Sequence, residues 1–276
     1  MNILKFLESL ANQGAVESLN TKGSRRDTLS QLGKMGATAA VAAVPFSMLF
    51  SQKAAAATAA SAAVAETATD ALKLALVLEY LEDEFYRTAL ERDFLNNEQT
   101  IIVEQISQHE EAHVALLKGA LGAAAPAKPT FDFTAGGAFP DVFSNPATFF
   151  AVAQAFEDTG VRAYKGQAGN FPNAADKAAL TIALQIHSVE ARHASRIRRY
   201  RDLKGWIAGN DEGGHPAAAD AVYAGENVTM QAGFNTASVA AGTGNRTIPA
   251  IAGSESFDEP ITTAQATAIA SLFIVA

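Results

Sequence analysis

Six residues of this chain combine types and spacings suited to metal chemistry. Glu110-Glu111-Ala112-His113 and Glu190-Ala191-Arg192-His193 each place a carboxylate three residues before an imidazole. On a helix that spacing puts the two side chains on one face, a turn apart. Val103 and Ile106 lead into Glu110, and Ala183 and Ile186 lead into Glu190. Glu79 and Glu157 stand without a histidine but in the same setting, after Leu72, Ala75 and Leu76 and after Phe150 and Ala153. All four Glu fall where the helical period demands a core residue. A buried, unpaired carboxylate is costly, so four converging ones need compensating charge. Two divalent cations would supply it. Oxygen and imidazole donors suit iron or manganese. The chain contains no cysteine, which excludes thiolate zinc sites, iron–sulfur clusters, disulfides and a catalytic thiol.

The six candidates sit in a repeat. Tyr86 follows Glu79 by seven residues, and Tyr164 follows Glu157 by seven; Gln105-Ile106 and Gln185-Ile186 begin five residues before Glu110 and Glu190. The two tyrosines read either as outer partners of the ligands and electron relays, or as core aromatics with satisfied hydroxyls. Other titratable residues take blander readings. Glu82 lies one turn from Glu79 and could assist it, but Glu82-Asp83-Glu84 is expected to be a solvated face. His187, one turn before Glu190, could be an outer base or third imidazole, but a hydrogen-bonded core or groove histidine is expected. His109 is expected to point away from the cluster, and His215 to lie at the surface. Arg196, Arg198, Arg199 and Arg201 close the last long helix, where cations complement its dipole in preference to forming an anion site.

Four long segments with helical periodicity must position these residues. The first runs from about Thr69 to Arg92. The second begins near Asn97 as N-cap and stops at Gly122. The third opens on Asn145-Pro146, a cap followed by proline at the first helical position, and ends near residues 166–169. The fourth runs from Asn173 to about Lys204. Between the second and third, residues 122–145 carry Pro126, Pro129, Pro140, Gly136 and Gly137 and read as an extended connection. About 23 extended residues reach ~70 Å, against ~36 Å for a 24-residue helix. The connection can therefore cross the whole length of a bundle.

One Glu from each of two helices plus Glu-x-x-His from two others is the ligand inventory of dinuclear carboxylate bundles. The chain resembles the ferritin-like superfamily. Within it, residues 78–86, 110–113, 156–164 and 189–193, with the tail Phe257-Asp258-Glu259-Pro260, are similar to the secreted ferritin-like and desiccation-related proteins. The resemblance covers residues 70 to 204 and implies an all-α fold, a four-helix bundle with a long crossover between helices two and three. It also implies that Glu110 and Glu190 bridge two metals while Glu79 and Glu157 bind terminally. It implies no particular reaction.

The ends of the chain differ from the bundle. Ser24-Arg25-Arg26-Asp27-Thr28-Leu29, an apolar stretch from Met35 to Phe50 and the small residues 54–57 read as a twin-arginine-type signal over residues 1–57. A retained membrane anchor is the other reading, disfavoured by Gly36, Pro45 and the shortness of the apolar run. Residues 58–204 form the expected bundle domain, and 205–276 a coil-rich extension. The last amphipathic stretch of that extension, 262–274, is expected to pack on the bundle, with homo-oligomer contacts as its other role. Without residues 1–57 the chain keeps 15 basic and 26 acidic residues, a net charge of −11, which argues against a nucleic-acid partner. The expectation is a periplasmic or secreted protein with two Fe or Mn ions, reacting with oxygen or hydrogen peroxide as a ferroxidase, peroxidase or catalase-like enzyme. A non-catalytic stress or envelope protein with a structural or absent metal is the alternative.

Overall fold

The first long helix is set by local chemistry at its start. Thr67 accepts the backbone N–H of Asp70 at 3.2 Å, and the Asp70 carboxylate accepts the Thr67 N–H at 3.3 Å. This reciprocal cap starts α1, Ala68–Leu90. Asn96 and Gln99 cap α2, Asn97–Leu121, in the same way. The cap is therefore Asn96 and not Asn97, because only from Asn96 does the Gln99 amide reach back to the cap backbone. Asn145 caps α3, Pro146–Gln167, with proline in its first turn. Asn173 and Asp176 open a 3₁₀ turn that runs into α4, Lys177–Tyr200.

The computed structural model describes residues 66–210, 215–238 and 251–275. The signal expected over residues 1–57 lies outside them, as do parts of the extension at 211–214 and 239–250. The described fold is all-α. α1 packs along α2 and α3 along α4, so the two sequence repeats are two helical hairpins.

The extension is more structured than coil. It contains α5 at Asp220–Tyr223, a two-stranded hairpin (β1 Met230–Gln231, β2 Phe234–Asn235), α6 at Ile251–Ser254 and α7 at Thr263–Ser271. α7 packs on α3 and α1. The chain end then pairs with the crossover: Asp132 N–H donates to Phe273 O at 2.8 Å, and Val275 N–H to Thr130 O at 2.9 Å. Phe133 and Phe143 of the crossover pack on Phe85, which stacks on Phe149 at 4.8 Å.

These coverings make the bundle lopsided. Of the 22 residues of α3, 17 are buried, against 7 of the 24 in α4. α1 and α3 lie inside, and α2 and α4 carry the exposed faces. That overturns two of the bland readings. Glu82 and Asp83 are buried, because α1 is closed over on the side a bare four-helix bundle leaves to water. Arg198 does not simply cap a dipole: it is buried and bonded to Asp158 at 2.5 Å. Tyr223 of α5 donates to the same carboxylate at 2.9 Å. Arg162 holds the extension likewise. It pairs with Glu226 at 2.6 Å and donates to the carbonyls of Val222, Ala224 and Glu259. His215 is no free surface residue either; its ring lies 4.6 Å from that of Tyr223.

Candidate metal centre

The four bundle helices bring all six sequence candidates to one place. Glu79 from α1, Glu110 from α2, Glu157 from α3 and Glu190 from α4 are fully buried, and His113 and His193 nearly so. Two sets of donor atoms result, each with all atoms within 4.8 Å of one another. The first is Glu79, Glu110, His113 and Glu190; the second is Glu110, Glu157, Glu190 and His193. Glu110 and Glu190 belong to both.

His113 Nδ1 lies 3.1 Å from Glu79 Oε2, 3.0 Å from Glu110 Oε2 and 3.3 Å from Glu190 Oε1. His193 Nδ1 lies 2.9 Å from Glu110 Oε1 and 3.1 Å from Glu157 Oε2. One N–H cannot donate to three carboxylates at once. Donor atoms about 3 Å apart are instead the spacing of adjacent ligands held about 2.1 Å from a common ion. Glu110 Oε1 and both oxygens of Glu190 are buried without a hydrogen-bond partner. Glu190 Oε2 meets no donor, and Glu110 Oε1 and Glu190 Oε1 lie beside an imidazole nitrogen without an aligned hydrogen bond; a cation would meet all three. The donor set and its spacing therefore fit bound divalent cations.

The tyrosines cross between the halves. Tyr86 donates to Glu157 Oε1 and Tyr164 to Glu79 Oε1, each at 2.5 Å. Burial, then the charge of the accepting carboxylate, holds both phenols well above their usual pKa, so they stay protonated donors. Both touch the candidate ligands, as outer partners.

The same contacts set the charges of the centre. Burial opposes a charge on His113, but the surrounding carboxylates of Glu110, Glu190 and Glu79 outweigh it and raise its pKa to about 12. His193 is raised to about 9, the charge and hydrogen bond of Glu157 overcoming the burial cost. Burial and the charge of Glu79 lift Glu190 to about 8, and burial with the charge of Glu190 pushes Glu110 well above the usual range.

Three further residues shape the site: Gly160, which the sequence did not mark, and His109 and Glu82, which were expected to lie outside it. Gly160 faces Glu190, and a Cβ there would lie 2.8 Å from Glu190 Oε2, so this position holds room for the carboxylate. His109 does not point away: its Nδ1 lies 2.8 Å from His193 Nε2, and the rings stack at 5.1 Å. The Gln105 amide N–H donates to His109 Nε2 at 2.7 Å, so the neutral His109 ring donates its Nδ1–H to His193 Nε2 and fixes the orientation of that ring. Glu82 is buried beside the site, and burial, with the charges of Glu190, Glu157 and Glu79, pushes its pKa well up. His187 stays outside the cluster. The one available signal was distance along the helix, since Glu82 is one turn from Glu79.

A sequence model of the ferritin-like domain matches residues 67–202. Together with the all-α bundle, this shows that residues 67–202 are a domain of the ferritin-like superfamily. No match to the chain was found among curated proteins or among solved structures.

Proposed function

We propose that this is an exported ferritin-like protein that holds two iron or manganese ions and uses them on oxygen or hydrogen peroxide in stress protection. The observation that carries this reading is the set of three partnerless buried carboxylate oxygens between two imidazoles. A bound iron or manganese pair would supply electrons to the oxidant by cycling between oxidation states.

The chain's own residues do the rest. Glu110 and Glu190, common to both donor sets, are the bridging pair in this reading, and Glu79 and Glu157 are the terminal ones. Tyr164 and Tyr86 fix the orientation of those terminal carboxylates by donating to them. Leu76, Leu117 and Ile186 are buried apolar side chains of the same four-helix bundle. Export rests on Arg25 and Arg26, and no helix among the described residues is long and apolar enough to cross a membrane.

One observation favours the second reading, a non-catalytic stress or envelope protein. The environment raises the pKa of His113, His193, Glu190 and Glu110, so protons can offset part of the charge of the centre. Peroxide consumption by protein loaded with iron or manganese separates the two. Turnover above the free metal ions supports the redox reading; none, with metal bound, leaves the structural one. Retention of an Arg25→Lys/Arg26→Lys precursor in the cytoplasm supports export, and normal export of that variant overturns it.

A further inference from the structure

The crossover and the extension close over α1 and α3, but the α2–α4 face is open. There a groove of about 550 Å³ descends to His113 and His193. Its walls are Ile102, Ile106 and Val189, and Ile101, 66% exposed, carries apolar surface to the mouth. Arg192 and Arg196 also line it, both exposed and with no ion pair among the described residues. No carboxylate lines the groove. Arg196 thus leaves the group of arginines that end α4: its neighbour Arg198 is buried on Asp158, while Arg196 faces open space beside the centre.

We infer that this groove binds a small organic anion, a carboxylate or phosphate head on an apolar body. The head pairs with Arg192 and Arg196, and the body lies on Ile102, Ile106 and Val189 next to His109 and His193. Each part of the lining selects against something else. An inorganic anion would leave the apolar walls bare. A neutral apolar molecule would strip water from two guanidinium groups and give nothing back. A second copy of this chain, docked face to face about a two-fold axis, would set these arginines against their own like charges. The volume lies within the range of small-molecule pockets. The groove holds this ligand beside the centre described above; what the centre would do with it rests on the metal reading, whereas the affinity does not.

The test is a calorimetric titration of the full chain, with and without Mn²⁺, using 1-naphthoate, the uncharged 1-naphthamide and inorganic phosphate. One naphthoate per chain should bind, at least ~10-fold tighter than the amide, as expected when a charge-assisted hydrogen bond is gained. In the Arg192→Gln/Arg196→Gln variant naphthoate should fall to the affinity of the amide. Both arginines are exposed, so the melting temperature and Mn²⁺ stoichiometry of that variant should match wild type. Equal binding of acid and amide, or full naphthoate affinity in the double variant, overturns the inference. Phosphate binding as tightly as naphthoate also overturns it and reduces the groove to an inorganic-anion site. Naphthoate binding without Mn²⁺ binding refutes the metal reading alone; Mn²⁺ binding without naphthoate binding refutes the groove alone.

Discussion

Tyr164 of α3 donates its phenol proton to Glu79 Oε1 of α1 over 2.5 Å, and the distance from Tyr86 of α1 to Glu157 of α3 is the same. Each inner helix thus supplies one carboxylate of the cluster and the donor that orients the other helix's carboxylate. The seven-residue interval from Glu to Tyr, repeated in both hairpins, is the sequence form of this exchange. Tyr164→Phe or Tyr86→Phe removes the donor and leaves a buried carboxylate oxygen unpaired. Each should lower metal-free stability by about 1–3 kcal/mol in denaturant titration. A loss under about 0.5 kcal/mol in both would show that the phenols are only core aromatics.

The dependence of stability on pH follows from two shifts of the same sign. Glu190 rises from 4.5 to about 8 because its charged form is costly in the core, so a penalty grows in over that interval as pH climbs. His193 rises from 6.5 to about 9, a stabilising contribution complete below pH 6.5 and lost as pH passes about 9. Glu226, raised to about 7 mainly by burial, acts in the same direction. The metal-free melting temperature should therefore be lower at pH 9 than at pH 6. Cations displace these protons, so Mn²⁺ should flatten or reverse the trend. A metal-free protein that melts higher at pH 9 contradicts the charge assignment.

Gly160 tests the shape of the site. An alanine in mid-helix ordinarily adds up to about 1 kcal/mol of helix stability. Here its Cβ would meet Glu190 Oε2 at 2.8 Å, so Gly160→Ala must displace that carboxylate. Mn²⁺ affinity should fall at least ~10-fold while the helical circular dichroism is kept. Unchanged affinity would remove Glu190 from the ligand set.

The ligands differ in what their loss should do. Glu110 and Glu190 stand in both donor sets, Glu79 and Glu157 in one each. Glu110→Ala or Glu190→Ala should therefore cost more metal affinity than Glu79→Ala or Glu157→Ala, where water can partly replace a terminal ligand. Equal losses in all four titrations would rule out the bridging assignment.

What the sequence made legible is what helical period encodes. Glu79, Glu110, Glu157 and Glu190 interrupt apolar stripes, and Glu-x-x-His places both histidines; caps and prolines gave the helix ends to within a few residues. What it hid depends on contacts between distant segments. His109 lies off the Glu110 face of its own helix and meets His193 only because α4 passes alongside. Glu82 reads as part of an acidic solvated run until α3 and α7 cover α1. Arg162 and Arg198 look like surface cations, and their burial is intelligible only with Glu226 and Asp158 in place. Gly160 carries no signal at all, since its meaning is the space left for a side chain 30 residues away.

The central claim is that the six side chains hold a pair of cations. Elemental analysis of the purified chain after loading with Fe²⁺ or Mn²⁺ and removal of excess ions tests it most directly. The account predicts about two metal ions per chain. Fewer than ~0.3 per chain in the folded wild-type protein would contradict it, and the partnerless carboxylates would then be held by protons alone.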